Sequence, residues 1–208
     1  MMNFKKIGIL GGTFNPVHIG HLYMAEYIRE SLQLDQIIFI PTGVPYMKKA
    51  TEILSGKQRF EMLELSIQKN PYFSTSDIEI SREGNTYTFE TLEELHKIYP
   101  DTELYFLVGA DCLFTIEKWY MPHKIFENCI LVAANRNDVS KSELDDKKEY
   151  LEKMFQANII LIDLPQIDIS STAIRNNLKT NKSIRYMVTD EVLDYIEKNK
   201  LYCGEFND

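Results

Sequence analysis

Long apolar runs are what this sequence most plainly lacks. None approaches the ~20 consecutive apolar residues that a membrane span requires; the longest (IIFI, LYFLV, ILVAA, IILI) are the size of single strands. The opening MMNFKKIGILGG reaches a Gly pair after a short apolar run, too short for the core of a signal peptide. The expectation is a soluble, cytoplasmic protein. Cysteine is scarce: Cys112, Cys129 and Cys203 are odd in number and show no C-x-x-C spacing. That excludes a disulfide framework and a cysteine zinc site, and fits reduced thiols. Positive charge is also short, with 23 Lys and Arg against 31 Asp and Glu, a net charge of −8. Such a chain is a poor general binder of nucleic acid or anionic membrane. Any phosphate it binds must be held by a few placed groups rather than by a basic field.

Linkers rich in Pro, Gly or Ser, internal repeats and low-complexity tracts are missing as well, so residues 1–208 are read as one domain. What is present is a recurring pattern, a short β-rich run followed by a helical stretch. The strands expected lie at 6–10, 36–40, 76–80, 104–108, 130–133 and 158–162. Several are apolar almost throughout, as in a parallel sheet covered on both faces. Helical spacing appears at Leu22, Ala25 and Ile28, at Phe60, Leu63 and Ile67, and at Phe89, Leu92, Leu95 and Tyr99. A short helix begins at Ser171, and a terminal one carries Val188, Val192, Tyr195 and Ile196 on one face. The polar segment 136–153 reads as a solvated connection, with its DDKKE run an exposed helix face. This alternation predicts an α/β, doubly wound, mostly parallel sheet with C-terminal helices. In that architecture ligands bind at the carboxyl ends of the strands, where the strand order reverses.

The first strand runs into GGTFNPVHIGHL, from Gly11 and Gly12 through Thr13 and Phe14 to Leu22. Two glycines at a strand exit permit a tight turn and a close backbone approach by a ligand. Neither the P-loop nor G-x-G-x-x-G is present. Instead His18 and His21 stand three positions apart across Gly20, on one face of a starting helix. A helix N-terminus favours phosphate, and imidazoles there can donate hydrogen bonds to phosphoryl oxygens as charge develops. By itself, H-x-x-H reads equally as a pair of surface or capping histidines. Zinc would need a third ligand, and none stands at the usual spacing.

Near the C-terminus, Ser170-Ser171-Thr172-Ala173-Ile174-Arg175 opens another helix. Ser and Thr are good N-caps, so the helix end would present amides and hydroxyls outward. Arg175, one turn in, is a planar cation suited to phosphate oxygens. A capped helix with a surface arginine is the plain alternative.

Together these strings resemble two signatures of the nucleotidyltransferases that carry a (T/H)-x-G-H motif, G-G-T-F-N-P-x-H-x-G-H-L and I-S-S-T-x-I-R. The resemblance implies a Rossmann-like fold and transfer of a nucleotidyl group from a nucleoside triphosphate with release of pyrophosphate. It also implies that Gly11, Gly12, Thr13, Phe14, His18, Gly20 and His21 face ATP on one side, with Ser171, Thr172 and Arg175 on the other.

Other segments bear on the second substrate. Pro41-Thr42-Gly43 leads to Lys48 and Lys49 after the second strand, Gly109-Ala110-Asp111 closes the fourth, and Tyr87-Thr88 precedes the third helix. Lys118-Trp119-Tyr120 holds the one tryptophan. Tyr87 and Trp119 read as core aromatics or as faces on which a flat heterocycle stacks. Backbone amides beside them can take a carboxylate. These features resemble the bacterial nicotinate-nucleotide adenylyltransferases along essentially the whole chain. That resemblance implies ATP and nicotinate mononucleotide as substrates. Trp119 would stack on the pyridine ring near Tyr87, and the amides of Thr88 and Tyr120 would receive the carboxylate. Gly109 and Asp111 would lie at the nucleotide, although Asp111 also reads as a strand-end cap. Lys48 would face phosphate, and Arg136 matches a family arginine. Two departures stand out: Met47 where a histidine is common, and Asn15 where aspartate is frequent.

The resemblance further implies direct in-line attack with His18, His21 and Arg175 as catalytic groups, and Mg2+ arriving on ATP. No metal site of the chain's own is expected, and a homo-oligomer is compatible. Rival readings are an adenylyltransferase preferring nicotinamide mononucleotide or another phosphorylated cofactor precursor, a cytidylyltransferase, and a non-catalytic nucleotide-sensing module. His96 and His123 match no motif, and Cys112 reads as a buried thiol.

Overall fold

The computed structural model describes residues 4–43, 53–136 and 139–202. These residues form β1 (Lys6–Gly12), α1 (Ile19–Leu32), β2 (Gln36–Pro41), α2 (Gly56–Ile67), β3 (Phe73–Thr75) and α3 (Thr88–Ile98). The second half contributes β4 (Glu103–Gly109), α4 (Pro122–Asn128), β5 (Ile130–Asn135), α5 (Lys141–Phe155), β6 (Ile159–Asp163), α6 (Ser171–Lys179) and α7 (Asp190–Lys198). Two short 3-10 turns, Ala110–Phe114 and Ile116–Lys118, lie between β4 and α4. The six strands make one parallel sheet in the order β3-β2-β1-β4-β5-β6. The chain therefore winds outward from β1 in one direction, returns to β4 and winds the other way. The doubly wound expectation is met.

Successive strand side chains point to opposite faces, and both faces are buried. Leu10, Ile37, Phe39, Leu107 and Val132 join Ile28 of α1, Met62 and Leu63 of α2, Ile174 of α6 and Val192 of α7. Ile9, Ile38, Phe106 and Leu131 join Leu92 of α3, Ile125 of α4 and Leu144 and Leu151 of α5 on the other face. Gly8 sits between β2 and β4, where a Cβ would lie 2.4 Å from the Ile37 side chain.

Two expectations need correction. The third strand is Phe73–Thr75, paired with Ile37–Phe39, and not 76–80. The alternation of Asp77, Ile78, Glu79 and Ile80 mimics a strand, but the Ser81 amide donates to the Asp77 carbonyl at 2.8 Å and the Ser81 hydroxyl to the Asp77 carboxylate at 2.8 Å. Such local bonds draw the backbone out of the ladder. Likewise 136–153 is no simple connection: most of it belongs to α5, capped by Ser140 and anchored by buried Leu144 and Leu151. Of the DDKKE run, Asp145, Asp146 and Glu149 are exposed, whereas Lys147 is mostly covered and pairs with Glu117 at 2.9 Å. Among the described residues no helix is long and apolar enough to cross a membrane.

Leu107 is 1% exposed at the middle of central strand β4. Leu107→Ala is expected to lower unfolding free energy by about 3 kcal/mol. Urea unfolding monitored by circular dichroism measures it.

Candidate active site

The site begins where β1 ends. Phe14 takes a left-handed φ of 47°, which folds its ring back over Gly12; a Cβ there would meet that ring at 3.0 Å. Glycine at 12 is thus what admits the turn. The turn delivers His18 as the N-cap of α1. The His18 main-chain amide donates to His21 Nδ1 at 3.3 Å. A neutral His21 whose Nδ1 accepts must carry its proton on Nε2, so helix capping selects the tautomer. The two rings stack with centroids 3.7 Å apart and planes 28° apart, and the Phe14 ring meets His21 edge-on at 5.0 Å. His18 Nδ1 is buried with no hydrogen-bond partner among the described residues. A Cβ on Gly20 would lie 3.1 Å from that Nδ1 and 3.6 Å from the Ile169 carbonyl oxygen. Gly20 is therefore where the C-terminal half of the chain comes up against the start of α1.

Burial disfavours the charged imidazolium at both rings. Desolvation, then the nearby Arg136 charge, lowers the His18 pKa from 6.5 to about 4. His21 is held well below 6.5 by desolvation, then by His18 and Arg136. At neutral pH the pair is uncharged, so each ring has one N–H to donate and carries no positive charge.

Arg136 follows β5, and with His18 and His21 it lines a cavity of about 260 Å3. The opposite wall is Leu164, Pro165, Ile167 and Ile169, leading into Ser170 and Ser171. Ser170 caps α6, its hydroxyl accepting from the Ala173 amide at 3.2 Å. The expectation of outward hydroxyls fails for Ser171, whose Oγ donates inward to the Pro16 carbonyl at 2.8 Å. Arg175 Nη1 donates to the Asn15 carbonyl at 2.8 Å and Nη2 to Thr172 Oγ1 at 3.3 Å. The α6 end and the turn after β1 are thus joined by main-chain acceptors, while Thr172 stays exposed.

The other predicted residues gather at the start of α3 and after β4. Tyr87 precedes Thr88, whose amide is the first of α3 and lacks an intrahelical acceptor. The Tyr87 and Tyr120 rings lie 4.6 Å apart, with Phe89 5.8 Å from Tyr120. Tyr120 is 53% exposed, whereas Trp119 is half-buried with its ring edge-to-face on Phe106 at 6.3 Å. The Asp111 carboxylate folds back over Gly109, where a Cβ would lie 2.6 Å from Oδ1. Lys48, with Met47 and Lys49, lies outside the described residues. Cys112 is half-buried, its thiol pushed up to about 11 by desolvation and then by Asp111.

Sequence reasoning missed Arg59 and Tyr202, and singled out Asn15 only as a departure from the family pattern. Arg59 on α2 is 2% exposed, Asn15 is 4% exposed, and the Tyr202 hydroxyl donates to Asn15 Oδ1 at 2.8 Å. For Arg59 a signal existed. It occupies the apolar stripe that Met62, Leu63 and Ile67 continue at helical spacing, where a charged residue needs polar partners.

A folded-state histidine pKa below the unfolded 6.5 means the unfolded chain binds more protons between the two values. Stability present at neutral pH is therefore lost as pH falls below 6.5, levelling off near the folded pKa of about 4. His18 is expected to contribute a loss on the order of 2 kcal/mol between pH 7.5 and 5. Urea unfolding at both pH values checks this, and His18→Asn should show a loss smaller by that amount.

The chain matches the Cytidylyltransferase-like family over residues 9–177. It is 44% identical over 198 residues to a protein named probable nicotinate-nucleotide adenylyltransferase from Lachnoclostridium phytofermentans, covering 95% of this chain and 99% of that one. A Clostridium botulinum protein of the same name is 44% identical, with 97% and 100% covered. Among solved structures, Plasmodium falciparum nicotinic acid mononucleotide adenylyltransferase complexed with NaAD superposes with a TM-score of 0.77 at 23% identity, covering 95% of this chain and 97% of that one. The same fold, and 44% identity sustained from end to end, lead to one assignment: the chain belongs to the nicotinate-nucleotide adenylyltransferase family of cytidylyltransferase-like nucleotidyltransferases.

Proposed function

We propose that the protein transfers the adenylyl group of ATP to nicotinate mononucleotide, giving nicotinate adenine dinucleotide and pyrophosphate in NAD biosynthesis. The observation that carries this reading is the convergence of His18, His21, Arg136 and the α6 N-terminus on one cavity, where the sheet reverses its winding. Full-length identity to proteins bearing that name supports it.

In the reaction a 5′-phosphate oxygen of the mononucleotide attacks the α-phosphorus of ATP. A P–O bond forms there as the bond to the β-phosphate oxygen breaks, and pyrophosphate leaves with that electron pair. The attacking phosphate is already ionised at neutral pH, so no general base is needed. The protein's part is to position the substrates and stabilise charge. His21 would donate from Nε2 to the transferred or leaving phosphate, with His18 beside it. Arg175 keeps donors beyond the two that bind Asn15 and Thr172, and with the first amides of α6 it would hold the triphosphate. Tyr87, Thr88, Trp119 and Tyr120 would take the pyridine ring and its carboxylate. Magnesium would enter on ATP. Among the described residues no cluster of three or more His, Cys, Asp or Glu side chains forms a cage for it.

Pyrophosphate release by the purified protein with Mg-ATP tests the reading. Nicotinate mononucleotide is expected to react much faster than its amide; equal rates would remove the carboxylate role of the Thr88 and Tyr120 amides. His21→Ala is expected to lower kcat by about 10²–10³-fold, the range for loss of one preorganised donor, with an unchanged circular dichroism spectrum.

A further inference from the structure

Among the described residues Arg59 makes four hydrogen bonds, each to a main-chain carbonyl. Its Nη1 donates to Thr13 at 2.9 Å, Nη2 to Thr42 at 2.7 Å and Gly43 at 3.2 Å, and Nε to Leu54 at 3.1 Å. Thr13 belongs to the turn between β1 and the histidines. Thr42 and Gly43 follow β2, and Leu54 lies shortly before α2, so one guanidinium holds both flanks of 44–53. A second polar link continues from the same turn. Glu79 is hydrogen-bonded to the Gly43 backbone and to the side chains of Thr86 and Thr91. Gly43 itself packs so closely that a Cβ would lie 2.4 Å from the Glu79 carbonyl oxygen and 2.8 Å from Thr86 Cγ2. Thr86 runs directly into Tyr87 and Thr88.

We infer that Arg59 is a positioning residue for adenylyl transfer, fixing the distance between the histidine turn and the Tyr87–Thr88 corner through the turn after β2. This rests on reading those two places as the ATP and mononucleotide halves of one site. The guanidinium is suited to the task because its planar fork reaches carbonyls in several directions at once, whereas a lysine ammonium at the same site cannot span them. In-line transfer is sensitive to such spacing: a displacement of about 1 Å far from the chemistry can lower the rate by about 10²-fold.

A ligand that spans both halves feels their separation, and a ligand confined to one half does not. Arg59→Lys is therefore expected to lower kcat by about 10–100-fold and to weaken binding of nicotinate adenine dinucleotide by at least about tenfold. Binding of Mg-ATP alone and of nicotinate mononucleotide alone should each change by less than about threefold. Amide hydrogen exchange in the free protein should accelerate together in peptides containing Phe14 and Gly43, with the β4 peptide unchanged. Equal weakening of all three ligands, or an unchanged kcat, would overturn the inference. A wild-type protein inert with nicotinate mononucleotide would instead remove the functional reading, and the exchange measurement would then decide alone whether Arg59 joins the two turns. Should Arg59→Lys not fold, Gly43→Ala takes its place. It displaces the same turn from outside the core, so the same ligand pattern supports the coupling and wild-type kcat refutes it.

Discussion

In a parallel sheet every crossover returns over one face, and here the crossovers from β1 and into β4 take opposite faces. Between those strands no helix covers the carboxyl edge. The opening that results is a product of chain direction and not of any side chain. Everything else at the site fills it: the α1 and α6 ends from one face, the start of α3 and the 3-10 turns after β4 from the other. The two cores on either side of the sheet anchor these ends, so backbone amides and a few side chains define the cavity in an acidic protein.

Within that opening the histidines occupy an unusual electrostatic position. They are buried against aromatic and aliphatic groups, and a neighbouring arginine already supplies the positive charge. Both effects act against a second cation, which makes the neutral imidazole the prevailing form at neutral pH. The amide of His18, which would otherwise be an unsatisfied helix donor, instead settles which nitrogen of His21 faces outward. Local secondary structure and the chemistry of the site are therefore a single arrangement, with Gly20 keeping the space in which it operates.

The sheet was readable from sequence because buried parallel strands are written as unbroken apolar runs, and five of the six expected strands appear at or within two residues of their places. The sixth was misplaced because Asp77 and Ser81 close a local turn that alternation alone cannot distinguish from a strand. The histidine and α6 motifs were legible as contiguous strings. The inward turn of the Ser171 hydroxyl was not, since its acceptor, the Pro16 carbonyl, lies far away in sequence. The burial of Arg59 could be read from the apolar stripe of α2, but its partners could not: the acceptors are main-chain carbonyls, which have no residue identity to read.

Several of the contacts at the site join residues 15–19 to residues 171–202. Asn15 receives Arg175 and Tyr202, Pro16 receives Ser171, and the Ile19 amide donates to the Met187 carbonyl at 2.9 Å. During synthesis, which runs from the N-terminus, the histidine turn emerges early and waits for these partners. The first strands can pair and bury their faces, but the wall opposite the histidines arrives only after β6, and the Tyr202 bond later still. A nascent or C-terminally shortened chain would thus display the signature motif without the pocket that gives it meaning.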